Sequence, residues 1–200
     1  MNAGFALNRG SRYNYGVKGD PIMEIVMFDK TNEQYMKEAA ALLFECFPHS
    51  YPMDETEQEM KKLTEPDRIA IYAQDNGHLV GYIGAIPQYG ITGWELHPLM
   101  VTEKYRAKGV GTKLIQALEK ECAKRGGITI YLGTDDEFGK TTLSATDLYE
   151  NTYEKIESIH NIKRHPYEFY KKNGYKIVGV IPDANGIGKP DIYMAKRIID

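Results

Sequence analysis

The sequence predicts an α/β fold, more closely an α+β mixed sheet flanked by helices, in one domain over residues 23–200. Three patterns predict it. A strand-like stretch at 23–28 runs directly into a helical period, so the chain opens β then α. Two alternating runs flank Asp75-Asn76-Gly77, where Asn-Gly supplies the positive φ that tight hairpins need, so part of the sheet is antiparallel. Further on, an apolar run, a glycine-bearing turn, a helical stretch, Gly126-Gly127 and a second apolar run follow one another, the pattern of a parallel crossover.

The elements follow in order. Residues 23–28 alternate as a strand, and Thr31 or Asn32 can cap a helix whose apolar positions are Met36, Ala39, Ala40, Leu43 and Phe47. A short second helix begins near Asp54, and the hairpin strands lie at 69–74 and 78–88. The strand at 94–101 precedes the glycine-bearing turn, and the strand at 128–133 follows the helix behind it. Residues 144–160 and 166–173 read as helices, with Pro166 suited to a first turn. Strands at 175–181 and 191–198 complete the domain. Residues 1–22 are rich in Gly, Asn and basic side chains without periodicity, and read as an appended extension with little share in the fold.

Composition narrows the function classes. The net charge is −3, and residues 1–22 carry Arg9, Arg12 and Lys18 against Asp20, so the rest of the chain stands at −5. That balance argues against nucleic-acid binding and suits a cationic partner. Cys46 and Cys122 have no metal-ligand spacing and fall on apolar sides of helices, so neither a metal site nor a disulfide is expected. No apolar run is long enough to span a bilayer and no signal-peptide core opens the chain, so a cytoplasmic protein without a membrane association is expected.

The turn holds Arg106, Ala107, Lys108, Gly109, Val110, Gly111 and Thr112. Glycines allow close backbone approach, and the first amides of a helix have no partner within it. Together with the helix dipole and the two cations they form an anion site suited to a phosphate or pyrophosphate, although a lone Gly-x-Gly is also an ordinary tight turn. A nucleotide P-loop is excluded because Gly111 is followed by Thr112 rather than Lys-Ser/Thr, with no glycine at the required earlier position. A dinucleotide fingerprint would need glycine where Leu114 stands and should open the first βαβ unit.

Arg-x-x-Gly-x-Gly after a central strand resembles the acetyl-coenzyme A loop of the GCN5-related N-acetyltransferases. Longer strings, "GAIPQYGITGWELHPL", "GGITIYLGTDD", "HPYEFYKKNGYKIVGVIPDANG" and "KPDIYMAKRI", resemble those of the aminoglycoside 6′-N-acetyltransferases within that superfamily. The resemblance covers about residues 23–199 and implies acetyl transfer from acetyl-coenzyme A to the 6′-amine of an aminoglycoside, by direct attack in a ternary complex. It also implies a homodimer, with the final strand as a candidate interface. Alternatives on the same residues are another amine acceptor, such as a polyamine or a protein N-terminus, or a non-enzymatic acetyl-coenzyme A module.

Such chemistry needs a deprotonated amine, a polarised carbonyl and a proton for the departing thiolate. Strand alternation sends Glu95, His97 and Leu99 to one face, the first two about 6–7 Å apart. A carboxylate inside an apolar strand is costly unless paired or functional. By the resemblance Glu95 is the base or holds the substrate ammonium, and an N–H near Leu99 meets the thioester carbonyl; His97 either touches substrate or thioester or is a hydrogen-bonded structural residue. Met100 and Val101 lie along the pantetheine arm, and Arg106, Lys108, Gly109, Val110, Gly111 and Thr112 hold the pyrophosphate. Tyr170 matches the tyrosine near the coenzyme sulfur. Asp135 and Asp136, after the strand at 128–133, are the candidate amino-sugar carboxylates, with Asp147, Glu150 and Glu154 as a further acidic row on one helix face.

Overall fold

The computed structural model describes residues 12–14 and 23–199. The described residues form two compact units, one within Met1–Pro87 and Leu96–Arg125 and one within Gln88–Glu95 and Gly126–Asp200.

In the first unit β1 (Arg12–Asn14), β2 (Glu24–Met27), β3 (Ile69–Asp75) and β4 (His78–Tyr89, its last two residues assigned to the second unit) are successive antiparallel neighbours, and β5 (Gly93–Val101, in this unit from Leu96) lies next to β4. Three residues of the expected extension thus form an edge strand on β2, and the remainder of 1–22 lies outside the described residues. The hairpin turns at Asn76 (φ 51°) and Gly77 (φ 78°), the two positive φ values that its sequence demands. The helices of this unit are α1 (Glu33–Cys46), α2 (Thr56–Leu63) and α3 (Val110–Lys124). Asn32 caps α1 by accepting the Tyr35 amide at 3.1 Å. The apolar face of α1 then packs Met36, Ala39, Ala40, Leu42 and Leu43 with Met60 and Leu63 of α2 and with Tyr72, Tyr82 and Met100 of the sheet. Each fully buried leucine there is worth about 1.5–3 kcal/mol of apolar transfer.

In the second unit the pairing is mixed. Gly93–Glu95 of β5 run parallel to residues 129–131 of β6 (Thr129–Asp135), with α3 between the two strands in the chain, as a parallel pair requires. Strand β8 (Asp191–Arg197) pairs antiparallel along all of β6, and β7 (Lys176–Ile181) pairs outside β8. Helices α4 (Thr152–Glu157) and α5 (Tyr167–Lys172) complete the unit. The helix expected over 144–160 shrinks to α4. Ala145 and Asn151 adopt left-handed φ values of 57° and 51°, and the Asp147 carboxylate accepts the Tyr149 amide at 2.9 Å, a local turn that competes with helix. Asp147, Glu150 and Glu154 therefore share no helix face.

Candidate active site

The glycine turn belongs to the first unit. Gly109 sits at the N-cap of α3 with φ 81°, no side chain caps the helix, and its first turn carries no acid. Among the described residues, then, no side chain caps the leading amides, which stand at the positive end of the helix dipole. Arg106, however, is engaged by its own unit: Nε donates to the Val101 carbonyl at 2.9 Å, and the guanidinium approaches Cys46 Sγ at 3.7 Å and Glu45 at 3.8 Å. Lys108 lies 5.6 Å from the Tyr105 ring, and Tyr105 donates to Asp75 at 2.5 Å. Val110 and Met100 are buried at 2% and 1% exposure, so their side chains belong to the core. Thr112, Gly111 and Val101 are half-buried.

Along β5 the expected alternation holds. Trp94, Leu96, Pro98 and Met100 are buried, while Glu95, His97, Leu99 and Val101 are half-buried on the other side. His97 Nε2 lies 3.0 Å from the Tyr51 hydroxyl, a contact from the loop between α1 and α2 that the sequence does not signal.

The second unit gathers acids and tyrosines on one sheet face. Glu95 pairs in register with Tyr131, and its carboxylate accepts the Gln88 amide at 2.7 Å. Asp135 is directly opposite Asp191 on β8. Tyr131 and Tyr193 stack at 6.3 Å and 14°, and Tyr89 meets Tyr131 edge-on at 6.0 Å. Burial and then the Glu95 charge push the Tyr131 phenol up to about 12. Gly133, exposed between the acids, leaves room for the Asp191 carboxylate: a Cβ there would meet Asp191 Oδ2 at 2.5 Å. Burial first, then the Asp135 and Glu95 charges, raise the Asp191 carboxyl to about 6, and its Oδ1 is buried without a hydrogen-bond partner. Asp191 is the acid that sequence reasoning missed, because only the adjacency of β8 and β6 brings it there.

Asp136 is corrected. It is fully buried, and its carboxylate accepts the Lys140 amide at 2.6 Å and the Thr141 amide and hydroxyl at 2.8 and 2.7 Å. Burial alone would raise its pKa, but these bonds together with Ser144 hold it below the ordinary range. Asp136 therefore anchors the loop from within, and its carboxylate is not exposed as an acidic loop residue would be. Asp135 stays exposed, bonded by the Asn185 amide. Tyr170, on α5, packs against Phe169 and Tyr175 with ring centroids 5.2 and 6.0 Å away, and burial drives its phenol well above the ordinary value.

Asp191 carries a pH prediction. Its folded pKa of about 6 exceeds the unfolded value near 3.9, so the folded state favours the neutral acid. The associated stability is full below about pH 4 and is lost as pH rises through about 6. Asp191→Asn, which cannot ionise, should therefore melt higher than the wild type at neutral pH, and the gain should vanish below about pH 4. A gain of equal size at all pH values would contradict an ionisation penalty.

Cys46 and Cys122 are free thiols, and burial raises the Cys122 thiol to about 12. Among the described residues no helix is long and apolar enough to cross a membrane, and no group of three acid, His or Cys side chains could hold a metal.

No curated protein matches the sequence. A solved structure of an aminoglycoside 6′-N-acetyltransferase complexed with coenzyme A is 56% identical, covers 88% of this chain and 97% of its own, and superposes with a TM-score of 0.87. The aminoglycoside 6′-N-acetyltransferase from Enterococcus faecium is also 56% identical, with the same coverage and a TM-score of 0.85. An aminoglycoside 6′-acetyltransferase type Ii follows at 48% identity, again covering 88% and 97%, with a TM-score of 0.71. The model of the acetyltransferase (GNAT) family matches residues 36–152, which take in α1 from Met36 onward, β5, the uncapped glycine turn and β6. With more than half its length matched, this chain belongs to the GNAT acetyltransferase family.

Proposed function

We propose that this chain transfers acetyl from acetyl-coenzyme A to the 6′-amino group of aminoglycosides and thereby confers resistance to them. The observation that carries the reading is the 56% identity, over 97% of its length, to an aminoglycoside 6′-N-acetyltransferase with coenzyme A bound. The uncapped start of α3 fits the coenzyme's pyrophosphate, because its free amides and dipole need an anion. The acids Glu95, Asp135 and Asp191, with tyrosine faces beside them, fit a polycationic sugar.

The amine nitrogen attacks the thioester carbonyl carbon, the C–S bond breaks, and coenzyme A leaves as a thiolate. Glu95 takes the proton that the substrate ammonium must lose. A backbone N–H at Leu99 supports the developing oxyanion, and His97, held by Tyr51, orients the acceptor. Tyr170 gives its proton to the thiolate. The attacking nitrogen must lose a second proton to become the amide, and that proton replaces the one Tyr170 gives up, since burial makes its phenolate costly. The protein acts in the cytoplasm as a homodimer on this reading. Because β8 is hydrogen-bonded on both edges, it would enter a dimer through its faces.

Thiol release with aminoglycosides bearing or lacking a 6′-amine tests the function. Turnover is expected only with the amine present; turnover on a polyamine or a peptide N-terminus but on no aminoglycoside would refute it. The coenzyme half is tested separately. Gly109→Val forces a branched residue to φ 81°, at a strain of about 1–2 kcal/mol that the free turn relieves by leaving this geometry and that binding must restore, so acetyl-coenzyme A affinity should fall roughly tenfold by calorimetry. Wild-type affinity would remove the turn from the site.

A further inference from the structure

The buried imidazole of His165 takes no part in the chemistry above, yet it joins two of its components. His165 is 2% exposed, just before α5, and both ring nitrogens are engaged. The Tyr167 amide, an obligate donor, points at Nδ1 over 3.2 Å, so Nδ1 carries no proton. The proton is therefore on Nε2, which donates to the Asp135 carbonyl at 3.0 Å. Its surroundings keep the ring neutral. Burial first, then Lys140, lowers the pKa, outweighing the opposite influence of the Asp135 carbonyl bond and of the Asp136 and Asp135 charges.

The loop is built to present the ring inward. Asn161 closes it with both ends of its amide, Oδ1 accepting the His165 amide at 2.8 Å and Nδ2 donating to the His165 carbonyl at 2.9 Å. Arg164, between them, is held at φ 56°, a left-handed conformation that costs a non-glycine residue energy. Asn161 is itself bridged to Thr141, which Asp136 anchors. The strand end that carries the exposed Asp135 carboxylate is thereby tied to the first turn of α5, and Tyr170 follows in that helix with its amide on the Pro166 carbonyl at 3.3 Å.

We propose that His165 is a positioning residue whose neutral imidazole, bridging the Asp135 carbonyl and the Tyr167 amide, sets the Tyr170 hydroxyl in register with the acidic end of β6. The inference rests on the assignment of Tyr170 as proton donor. It requires that loss of the bridge slow the chemical step without weakening the coenzyme.

The test is a double-mutant cycle. His165→Phe fills the space but keeps neither hydrogen bond, and should lower kcat roughly 10- to 100-fold, the scale of small misplacements at a reacting group. The KM for acetyl-coenzyme A should stay constant. His165→Gln, whose amide can still donate to the Asp135 carbonyl, should recover part of the loss, and it serves as the folded alternative if the phenylalanine variant is unstable. In a Tyr170→Phe background either variant should cost no further activity, because the group being positioned is gone. Losses that add to a slow Tyr170→Phe, or a wild-type kcat in both His165 variants, would overturn the inference and leave Tyr170 as the donor. A wild-type kcat in Tyr170→Phe alone would overturn the donor assignment, and the inference with it.

Discussion

Glu95→Gln should lower turnover by roughly 10²–10⁴-fold, the usual range for losing an acid–base group, while acetyl-coenzyme A affinity stays near that of the wild type. The substitution is nearly isosteric. The new amide oxygen can still accept the Gln88 bond now made at 2.7 Å, so the pairing of Gly93–Glu95 with β6 should survive and the loss should be chemical. An aminoglycoside amine is an ammonium at neutral pH and cannot attack until a proton is removed. Alkaline pH supplies more free amine, so the deficit should narrow as pH rises. Steady-state thiol release over a pH series, beside coenzyme calorimetry, reads both effects. Wild-type turnover throughout would remove Glu95 from proton transfer, and an increased acceptor KM with unchanged kcat would make it a binding residue only.

Gly84→Val should lower both stability and turnover. A Cβ at Gly84 would lie 2.6 Å from the His97 carbonyl oxygen and 3.2 Å from the Tyr82 hydroxyl. The first contact is with backbone, so β4 and β5 must part or bend, and overpacking of this kind costs about 1–3 kcal/mol. For a chain of this size each kcal/mol lowers Tm by about 2–4 °C. The strain falls on the segment carrying His97 and Leu99, so kcat should drop as well. Gly133→Ala is the informative contrast. Its 2.5 Å contact is with the Asp191 carboxylate, the end of a side chain that can rotate away, so Tm should move little. Unchanged Tm and kcat in Gly84→Val would mean that the strands separate without cost.

Where local rules act, sequence and structure coincide. The Asn-Gly hairpin, the Asn32 cap, the alternation of β5 and the uncapped glycine turn each depend on a few adjacent residues, and each is present. The long strings that resemble aminoglycoside acetyltransferases led to the same family as the structural relatives. Reading failed where local signals competed. Residues 144–160 carry helical periodicity, but Asp147 and Asn151 prefer turn conformations, and the turns prevailed outside α4.

By itself the sequence determined the mixed α/β class, the acetyltransferase family and the placement of Glu95, His97 and Leu99 on one side of a strand, because strand period and turn chemistry are local properties. Only the tertiary structure decided which acids are exposed. Asp135 and Asp136 are neighbours in a strand-end loop, yet one is exposed and the other is sealed by four hydrogen-bonding groups around it. Asp191, more than fifty residues away, joins Asp135 because β8 inserts between β6 and β7. Burial and strand order are set by the packing of whole elements, and no short stretch of residues encodes them.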